Sequence, residues 1–326
     1  MPICHCLWPA ILNWEAEAVT RWEREDTLVM KGFDMVRAIK DRKFTEERAL
    51  FGSRDIELDG CVFEDGESPL KEACNITARE CLFRYKYPFW YCNGVELDRV
   101  TFFEMARAGV WYTDDFSMKN AIVEAPKNFR RCKDITLCNV LIPHAQETLW
   151  NCTDVTLESV RVTGDYFAMG CRNVKASDVD LIGNYSFDGV VNMEISDSHL
   201  ASKDAFWNSD NVTVRNCFIT GEYLGWNSKN LTFIDCTIES LQGMCYIDDL
   251  VMKNCRLINT TLAFEYSEVE ADIRGCIDSV FNPKCGQISA ERIGHLVIQK
   301  DRIDPSKTKI ICDSIDEKTD TPEGLW

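Results

Sequence analysis

The sequence predicts an all-β fold: a single-stranded right-handed parallel β-helix of about 12 coils, each 19–21 residues long. Three observations predict it. Pairs of apolar residues spaced by two recur along the chain from Asp55 onward, Asn and Asp stand at fixed positions before and after them, and Cys or Val fills one further register. A repeat of this length is the signature of a solenoid, in which each unit packs only against its neighbours.

Each coil opens with a half-buried strand. The residue at the start and the residue two places later are apolar, as in Ile135 and Leu137, and polar residues alternate with them. An alternation with period two is typical of a strand with one buried face. The predicted starts are Ile56, Ile76, Val95, Phe116, Ile135, Val155, Val174, Met193, Val212, Leu231, Leu250 and, with a small slip, Ala271.

A corner and a second short strand complete the regular part of the coil. The corner is a single Asn or Asp, such as Asn139 or Asp197, because these residues tolerate left-handed dihedral angles. A second row of Asn and Asp stands immediately before the starts, from Asp55 to Asp249. Amides repeated in one register predict a ladder of side-chain hydrogen bonds along the stack.

The coils divide the chain into three parts. Residues 51–292 are the β-helix, residues 1–50 an N-terminal extension and cap, and residues 293–326 a C-terminal cap and tail, because the exposed ends of a parallel stack need covering. Residues 14–30 alternate charge and bulk like a short amphipathic helix. Two interpretations of residues 1–34 stay open: they belong to the native fold, or they precede a start at Met30 or Met35.

Ten of the seventeen cysteines occupy two registers that other coils fill with Val or Ser, which indicates small buried residues. Free stacked thiols suit a reducing compartment, and the opening residues lack the pattern of a secretory signal, so we expect a cytoplasmic protein. CxxC pairs are absent, and Cys4, His5 and Cys6 are too close together to hold zinc alone, so we expect neither a metal nor a cofactor. One register holds Cys61, Cys81, Cys217, Cys236, Cys255 and Cys276, and another holds Cys92, Cys132, Cys152 and Cys171.

The net charge of −17 limits the partners. A surface of this sign repels phosphate, which argues against nucleic acid and an anionic membrane, and it disfavours acidic polysaccharides. The chain has no run of 18 apolar residues, so we expect no membrane span. A carbohydrate or another protein stays open as the partner, and the sequence does not determine the oligomeric state.

The two coils at residues 206–238, FWNSDNVTVRNCFITGEYLGWNSKNLTFIDCTI, resemble an uncharacterised bacterial family. That family, a domain of unknown function, consists of short-coil right-handed β-helix proteins within the pectin-lyase-like superfamily. The resemblance covers roughly residues 40–300 and implies the fold. Because the family has no established activity, the resemblance implies no catalytic residues.

The third side of each coil carries the candidate site residues. Stacked aromatics suit the faces of sugar rings and equally suit one another inside a rod. The parity of the neighbouring positions favours the tryptophans as a core stack, with a surface platform as the alternative, and favours the row eight before the start as exposed. The row five before the start is Trp90, Trp111, Arg130, Trp150, Met169, Asp188, Trp207 and Trp226; the row eight before it is Tyr87, Ala108, Lys127, Glu147, Tyr166, Tyr185, Asp204 and Tyr223.

Asp188 and Asp204, on neighbouring coils, are the candidate catalytic carboxylates, since glycoside hydrolysis needs two carboxylates about 5–10 Å apart. If the tryptophan row is buried, the charges of Arg130 and Asp188 each need a partner. The candidate ligand-binding residues are Trp150, Tyr166, Tyr185, Trp207, Tyr223, Trp226, Arg130, Glu147, and His144 three residues before Glu147.

The catalytic signal is weaker than the fold signal. Polygalacturonases of the superfamily typically carry an Asn-Thr-Asp motif, paired aspartates and a Gly-His-Gly motif. Here Gly-His-Gly is absent, and the second Asp of each pair, Asp115 and Asp249, belongs to the ladder. The sequence therefore favours a non-catalytic binding or scaffold protein that presents a flat side to a glycan or a protein. The alternative is a polysaccharide hydrolase or lyase with its site on the third side of coils 5–10.

Overall fold

The computed structural model describes residues 27–31 and 34–321. In this part of the chain the secondary structure consists of 29 strands and one short 3-10 turn at Pro305–Lys307. The first strands are β1 (Thr27–Lys31), β2 (Asp34–Lys40), β3 (Lys43–Phe44), β4 (Arg54–Asp59), β5 (Val62–Phe63), β6 (Cys74–Arg79), β7 (Leu82–Phe83), β8 (Phe89–Trp90), β9 (Asn93–Asp98), β10 (Thr101–Phe102), β11 (Val110–Trp111), β12 (Asp114–Val123), β13 (Lys133–Ile142) and β14 (Thr153–Thr163). The others are β15 (Arg172–Ser177), β16 (Asp180–Ile182), β17 (Val191–Ser196), β18 (His199–Ala201), β19 (Asp210–Arg215), β20 (Phe218–Glu222), β21 (Lys229–Ile234), β22 (Thr237–Leu241), β23 (Asp248–Leu257), β24 (Glu268–Ile273), β25 (Cys276–Phe281), β26 (Cys285–Ser289), β27 (Arg292–Val297), β28 (Thr308–Ile311) and β29 (Ser314–Thr319).

The strands form a single-stranded right-handed parallel β-helix, which confirms the predicted fold class. On the first side, strands of successive coils pair in parallel and in register, as β17 does with β15 and β19. On the second side, β16, β18 and β20 pair in the same way. On the third side, β8 pairs with β11 and isolated bridges follow, and in the C-terminal coils β25, β27 and β29 pair in a separate parallel sheet. Each coil therefore lies about 4.8 Å above the previous one, with equivalent side chains stacked along the axis.

The rod has about 15 turns rather than the predicted 12. The additional coils begin at Arg37, Gly286 and Thr308, none of which is a large apolar residue. The expected start at Ala271 was wrong by two residues, because Leu250 pairs with Val269 and Met252 pairs with Ala271. The strands thus extend into both segments that the sequence assigned to the ends.

Left-handed residues turn the chain at each corner, as the Asn and Asp rows predicted. Asn192 and Asn211, immediately before two starts, have φ of 59° and 58°. The predicted ladder is present: Asn192 Nδ2 donates to Asn173 Oδ1 at 3.0 Å, and Asn211 Nδ2 donates to Asn192 Oδ1 at 2.9 Å. A second ladder joins the corners, where Asn139 Nδ2 donates to Asn120 Oδ1 at 2.8 Å.

The core runs along the axis as columns of equivalent residues. Phe44, Phe63 and Phe83 stack with centroids 4.7 and 5.0 Å apart. The cysteines of the two predicted registers are buried and free, and Cys171 Sγ donates to Leu149 O at 2.9 Å. Cys276 is an exception: it is only half-buried, and Ile273 pairs with Cys255 in its place.

The N-terminal coil is covered by an antiparallel strand. β1 pairs with β2 from Thr27–Ala38 to Lys31–Asp34, so the last residues of the predicted amphipathic helix form a strand instead. Residues 1–26, 32–33 and 322–326, including the Cys4–His5–Cys6 cluster, lie outside the described residues. Within the described part, no helix could serve as a transmembrane segment, and no three His, Cys, Asp or Glu side chains gather as a metal site.

Candidate functional site

The third side departs from the period of two because every second residue is left-handed. In the coil that leads to Val212, the φ angles of Asp204, Phe206 and Asn208 are 58°, 59° and 52°. Left-handed residues at every second position prevent this segment from forming a flat strand. Burial then no longer follows the parity of a flat strand, so Phe206 is fully buried while the adjacent Trp207 lies half-exposed over it.

The tryptophans form neither the core stack that parity favoured nor a freely exposed platform. All five in the row are half-buried and lie against the rod. Each indole N–H donates to the main-chain carbonyl of the residue that opens the third side in the next coil. Trp150 bonds Tyr166 O at 2.7 Å, and Trp207 bonds Tyr223 O at 2.8 Å. Trp90, Trp111 and Trp226 donate in the same way to Ala108, Lys127 and Gln242.

The indole rings make two separate stacks along the rod axis. In the first stack, Trp90 and Trp111 lie 5.1 Å apart and 3° from parallel, and the Arg130 guanidinium lies between Trp111 and Trp150, 4.8 and 4.7 Å from their centroids. In the second stack, Trp207 and Trp226 lie 5.9 Å apart and 8° from parallel. Within a stack each ring covers the face of the next, so only the rings at the ends have a face left for a ligand.

Arg130 and Glu147 belong to the first stack and hold it together. The Glu147 carboxylate lies 3.1 Å from Arg130 and 3.1 Å from Lys127, which supplies the partner that the sequence required for Arg130. Among the described residues, no group accepts a hydrogen bond from Arg130 Nε. His144 does not join them; it lies exposed in a groove with Glu124 and Asp165. These residues therefore stabilise the rod, and the structure gives no support to a His144–Glu147 pair.

A gap separates the two stacks. Where other coils carry an indole, two successive coils carry Met169 and Asp188, followed by Gly170 and Gly189. A Cβ atom at Gly189 would meet only Gly170 Cα, at 3.9 Å, so the space there is open. Trp150 and Trp207, three coils apart at about 4.8 Å each, bound this gap. We call it the notch and define it by Trp150, Tyr166, Met169, Gly170, Tyr185, Asp188, Gly189, Asp204 and Trp207.

Two tyrosines line the notch beside the missing indoles. Tyr166 and Tyr185 stack on each other at 4.9 Å and 5°. Tyr166 stands edge-on to Trp150 at 6.4 Å and 81°, and Tyr185 stands edge-on to Trp207 at 6.1 Å and 88°. Because an edge does not cover a neighbouring ring as a parallel stack does, the end faces of both tryptophans have no stacked aromatic partner inside the notch.

Asp204 is the unusual charge of the notch. The sequence predicted an exposed side chain, but only 2 % of Asp204 is exposed, and its Oδ1 has no hydrogen-bond partner among the described residues. Burial raises the pKa of this carboxyl, and the positive charge of Lys203 and the hydroxyl of Tyr185 oppose that rise only in part. Asp188, half-buried, accepts a hydrogen bond from Asn208 Nδ2 at 2.9 Å.

Two main-chain carbonyls complete the acceptors of the notch. The main-chain carbonyls of Tyr185 and Asp204 are equivalent by register to the carbonyls that accept a hydrogen bond from an indole N–H in the other coils. The side chain of Met169 has no hydrogen-bond donor, and a carboxylate, which Asp188 carries in the next coil, only accepts hydrogen bonds. The notch therefore combines two aromatic end faces with several oxygens that accept hydrogen bonds, which is an arrangement for a ligand rich in hydroxyl groups.

Two of the surface grooves on the described residues lie away from the notch. One of about 570 Å³ follows the ladder on the first side and is lined by Asp134, Thr156, Asn192 and Thr213 among others. The other, of about 730 Å³, contains His144. The sequence analysis also missed Tyr246 and Glu265, which continue the third side beyond Trp226. The signal of Glu265 was displaced by one residue, because Glu265 lies four rather than five residues before its start at Val269. The register follows from Tyr246 N, which donates to Glu265 O at 2.7 Å as Asn208 N does to Trp226 O.

Fold and site together define a right-handed parallel β-helix protein whose third side carries two aromatic stacks and a polar gap. The chain belongs to the family described as Protein of unknown function (DUF3737), whose model matches residues 37–311. This confirms the resemblance to a family without an assigned activity. A search of curated proteins found no match.

Solved structures similar to this chain are remote from it. They include PfbA, a surface adhesin of Streptococcus pneumoniae, with 10% identity, a TM-score of 0.45, and 69% of this chain and 83% of that chain covered. The A-module of the Azotobacter vinelandii mannuronan C-5 epimerase AlgE4 has 9% identity, a TM-score of 0.26 and 87% of both chains covered. A tailspike protein of E. coli bacteriophage HK620, in complex with a pentasaccharide, has 11% identity, a TM-score of 0.24, and 80% and 60% covered. None is similar enough for its activity to be transferred to this chain.

Proposed function

We propose that this protein binds an uncharged glycan in the notch and does not cleave it. The observation that carries the proposal is Asp204, a carboxylate that is 2 % exposed and whose Oδ1 has no partner. A buried polar atom without a hydrogen bond costs free energy, and a hydroxyl group of a ligand would satisfy it.

The surroundings of Asp204 match the two kinds of surface that a sugar ring presents. The end face of Trp207 suits the apolar face of a pyranose, and Tyr185 stands edge-on beside it. Asp204 Oδ1 and the carbonyls of the notch suit the hydroxyl groups at the ring edge. A few well-placed polar groups next to aromatic rings are typical of small-molecule sites.

The charge of the protein argues for an uncharged ligand. Asp188 and Asp204 both lie in the notch, Glu222 lies beside it in an ion pair with Lys203 at 3.1 Å, and the whole chain carries −17. A uronic acid placed there would be repelled by the surrounding field. We also propose a cytoplasmic setting, which the buried free cysteines support.

A second candidate function is hydrolysis of the bound glycan. The observation in its favour is the raised pKa of Asp204, because a general acid must hold its proton near the working pH. Against it, Asp188 is engaged by Asn208 in the ladder and has no free role as base or nucleophile. Binding without cleavage is therefore the better-supported function.

The test is a titration of tryptophan fluorescence with mono- to hexasaccharides of glucose, galactose, mannose and N-acetylglucosamine. We expect saturable binding by the wild-type protein and an affinity about tenfold weaker for Asp204→Asn, because the charge-assisted hydrogen bond is lost. Asp301→Asn is the matched control, since its carboxylate is 80% exposed and far along the chain in the last coils.

Two results would contradict the proposal. If no oligosaccharide binds the wild-type protein, or if Asp204→Asn binds as tightly as Asp301→Asn, the notch is not a glycan site. Incubation of the bound oligosaccharide with the wild-type protein, followed by an assay of new reducing ends, separates binding from hydrolysis. Release of reducing ends that Asp204→Asn abolishes would establish the second candidate in place of the first.

A further inference from the structure

The second stack ends in the same order of residue types as the first. After Trp150, the indole row continues with Met169 and Asp188: a sulfur-containing residue and then a carboxylate. After Trp226, the same row continues with Cys245 and Glu265, and the hydrogen bond from Tyr246 N to Glu265 O fixes this register. Cys245 is fully buried, so no indole covers the far end of the second stack.

Two tyrosines lie beside this second gap, one residue after the indole row rather than three residues before it as in the notch. Tyr246 lies 5.2 Å from Trp226 at an angle of 61°, and Tyr266 lies 5.6 Å from Tyr246 at 47°. None of these pairs is a parallel stack, so the ring faces are only partly covered. The Tyr246 ring is 42% exposed, which makes it one of the most accessible aromatic surfaces of the described chain.

Glu265 takes the place in this gap that Asp188 takes in the notch, within the indole row. It is half-buried beside Tyr246. Burial raises the pKa of Glu265, and burial together with the nearby charge of Glu265 raises the pKa of Tyr246 to about 12. The tyrosine hydroxyl therefore keeps its proton at neutral pH and can donate a hydrogen bond, next to an accessible ring.

We propose that Trp226, Tyr246, Glu265 and Tyr266 form a second sugar-binding subsite, and that one glycan chain lies along the rod and occupies both gaps. The proposal rests on the proposed function of the notch and adds the shape and minimum length of the ligand. Asp188 and Glu265 are four coils apart in one row, which places the two carboxylates about 19 Å from each other along the axis. A disaccharide fills one gap only, whereas a longer oligosaccharide reaches both.

The wall between the two gaps fits a continuous chain. Trp207 and Trp226 form it, and both indoles lie flat against the rod with their N–H groups bonded to main-chain oxygens. The residues beside them, Asn208 and Asn227, are exposed and linked by a hydrogen bond of 2.8 Å. A glycan that bridges the gaps would pass over indole edges and amides, which offers both apolar and polar contacts.

The test is calorimetric titration with the best-binding sugar as a series from disaccharide to octasaccharide. For the wild-type protein we expect one step in affinity, of about tenfold, at the length that first reaches both gaps, because the second contact is then intramolecular. Glu265→Gln should remove this step and leave the affinity for the disaccharide unchanged. Asp204→Asn should weaken the binding of every length.

A second variant keeps the test independent of how Glu265→Gln folds. Tyr246→Ala removes an exposed ring and should also abolish the step, with a thermal unfolding curve as the control for folding. If both variants bind the octasaccharide as tightly as the wild type does, while Asp204→Asn does not, the second subsite is refuted and the notch stands. If no oligosaccharide binds the wild-type protein, both proposals fail.

Discussion

Asp204 is an acidic residue whose carboxyl group the fold buries, so that it loses its hydration. Its backbone has φ of 58°, and the adjacent Ala205 and Phe206 are fully buried, so the carboxylate is drawn down beside the core. Burial raises its pKa more than Lys203 and Tyr185 lower it. A group with this environment costs stability when it is ionised, and such costs are typical of functional sites.

The raised pKa of Asp204 predicts a specific dependence of stability on pH. The native protein keeps this proton to a higher pH than the unfolded chain does. The free energy of unfolding therefore decreases as pH rises from the unfolded-state pKa near 4 through the folded-state pKa. Asp204→Asn removes this penalty, so we expect its melting temperature to exceed that of the wild type by about 2 °C at pH 7 and to equal it at pH 3.

Scanning calorimetry at the two pH values measures this effect, with Asp301→Asn as the control that should change neither value. A melting temperature of Asp204→Asn below that of the wild type at pH 7 would show that the carboxylate stabilises the fold instead. Together with the binding test, the expected result is a variant that is more stable and binds more weakly. A residue with a purely structural role would not give that combination.

At the scale of the element, the coil is held by its inward positions. Val212 is 1% exposed and pairs in register with Met193 and Leu231. Thr232, in the next coil, faces outward between Thr213 and Val251 and has no charged neighbour in those pairs. The same first-side strands thus offer an inward and an outward position in equivalent surroundings.

We therefore expect opposite outcomes for one substitution at these two positions. Val212→Asp places an unpaired charge in the core and should cost about 4 kcal/mol or more of unfolding free energy. Thr232→Asp should cost less than about 1 kcal/mol, because its side chain reaches water. Urea unfolding followed by circular dichroism measures both. Equal losses in the two variants would contradict the inward register of Val212.

The coil also shows which parts of the structure the sequence could predict. Starts such as Ile135 and Leu231 repeat apolar residues and were predicted correctly, whereas the starts at Arg37, Gly286 and Thr308 carry no apolar signal. Parity failed on the third side because Asp204 and Phe206 are left-handed, so neighbouring residues do not alternate between core and solvent. The sequence therefore predicted which residue types lie on the third side, but it did not predict which of them are buried.

For the whole molecule, register and charge determine what kind of ligand can lie along the rod. Equivalent residues stack in parallel from coil to coil, so the notch and the second subsite lie on the same side. The net charge of −17 surrounds both gaps with negative potential. A long uncharged glycan can occupy this side because the negative potential does not repel it.

The field predicts how binding depends on salt. An oligosaccharide of uronic acids should bind more weakly than the neutral oligosaccharide of the same length in 10 mM salt, by at least about tenfold, because the protein repels it. The difference should narrow in 500 mM salt as the charges are screened. Calorimetric titration at both salt concentrations checks this. Tighter binding of the acidic oligosaccharide at low salt would contradict an uncharged ligand.

Stacking in register also gives the chain a simple way to change its ligand. The distance between the two gaps is a whole number of coils, each of which adds about 4.8 Å. Insertion of one further 19-residue unit between Trp207 and Trp226 lengthens that distance by one step and leaves the residues of both gaps untouched. In such a protein, the length of the recognised polymer and the chemistry of its recognition can evolve independently.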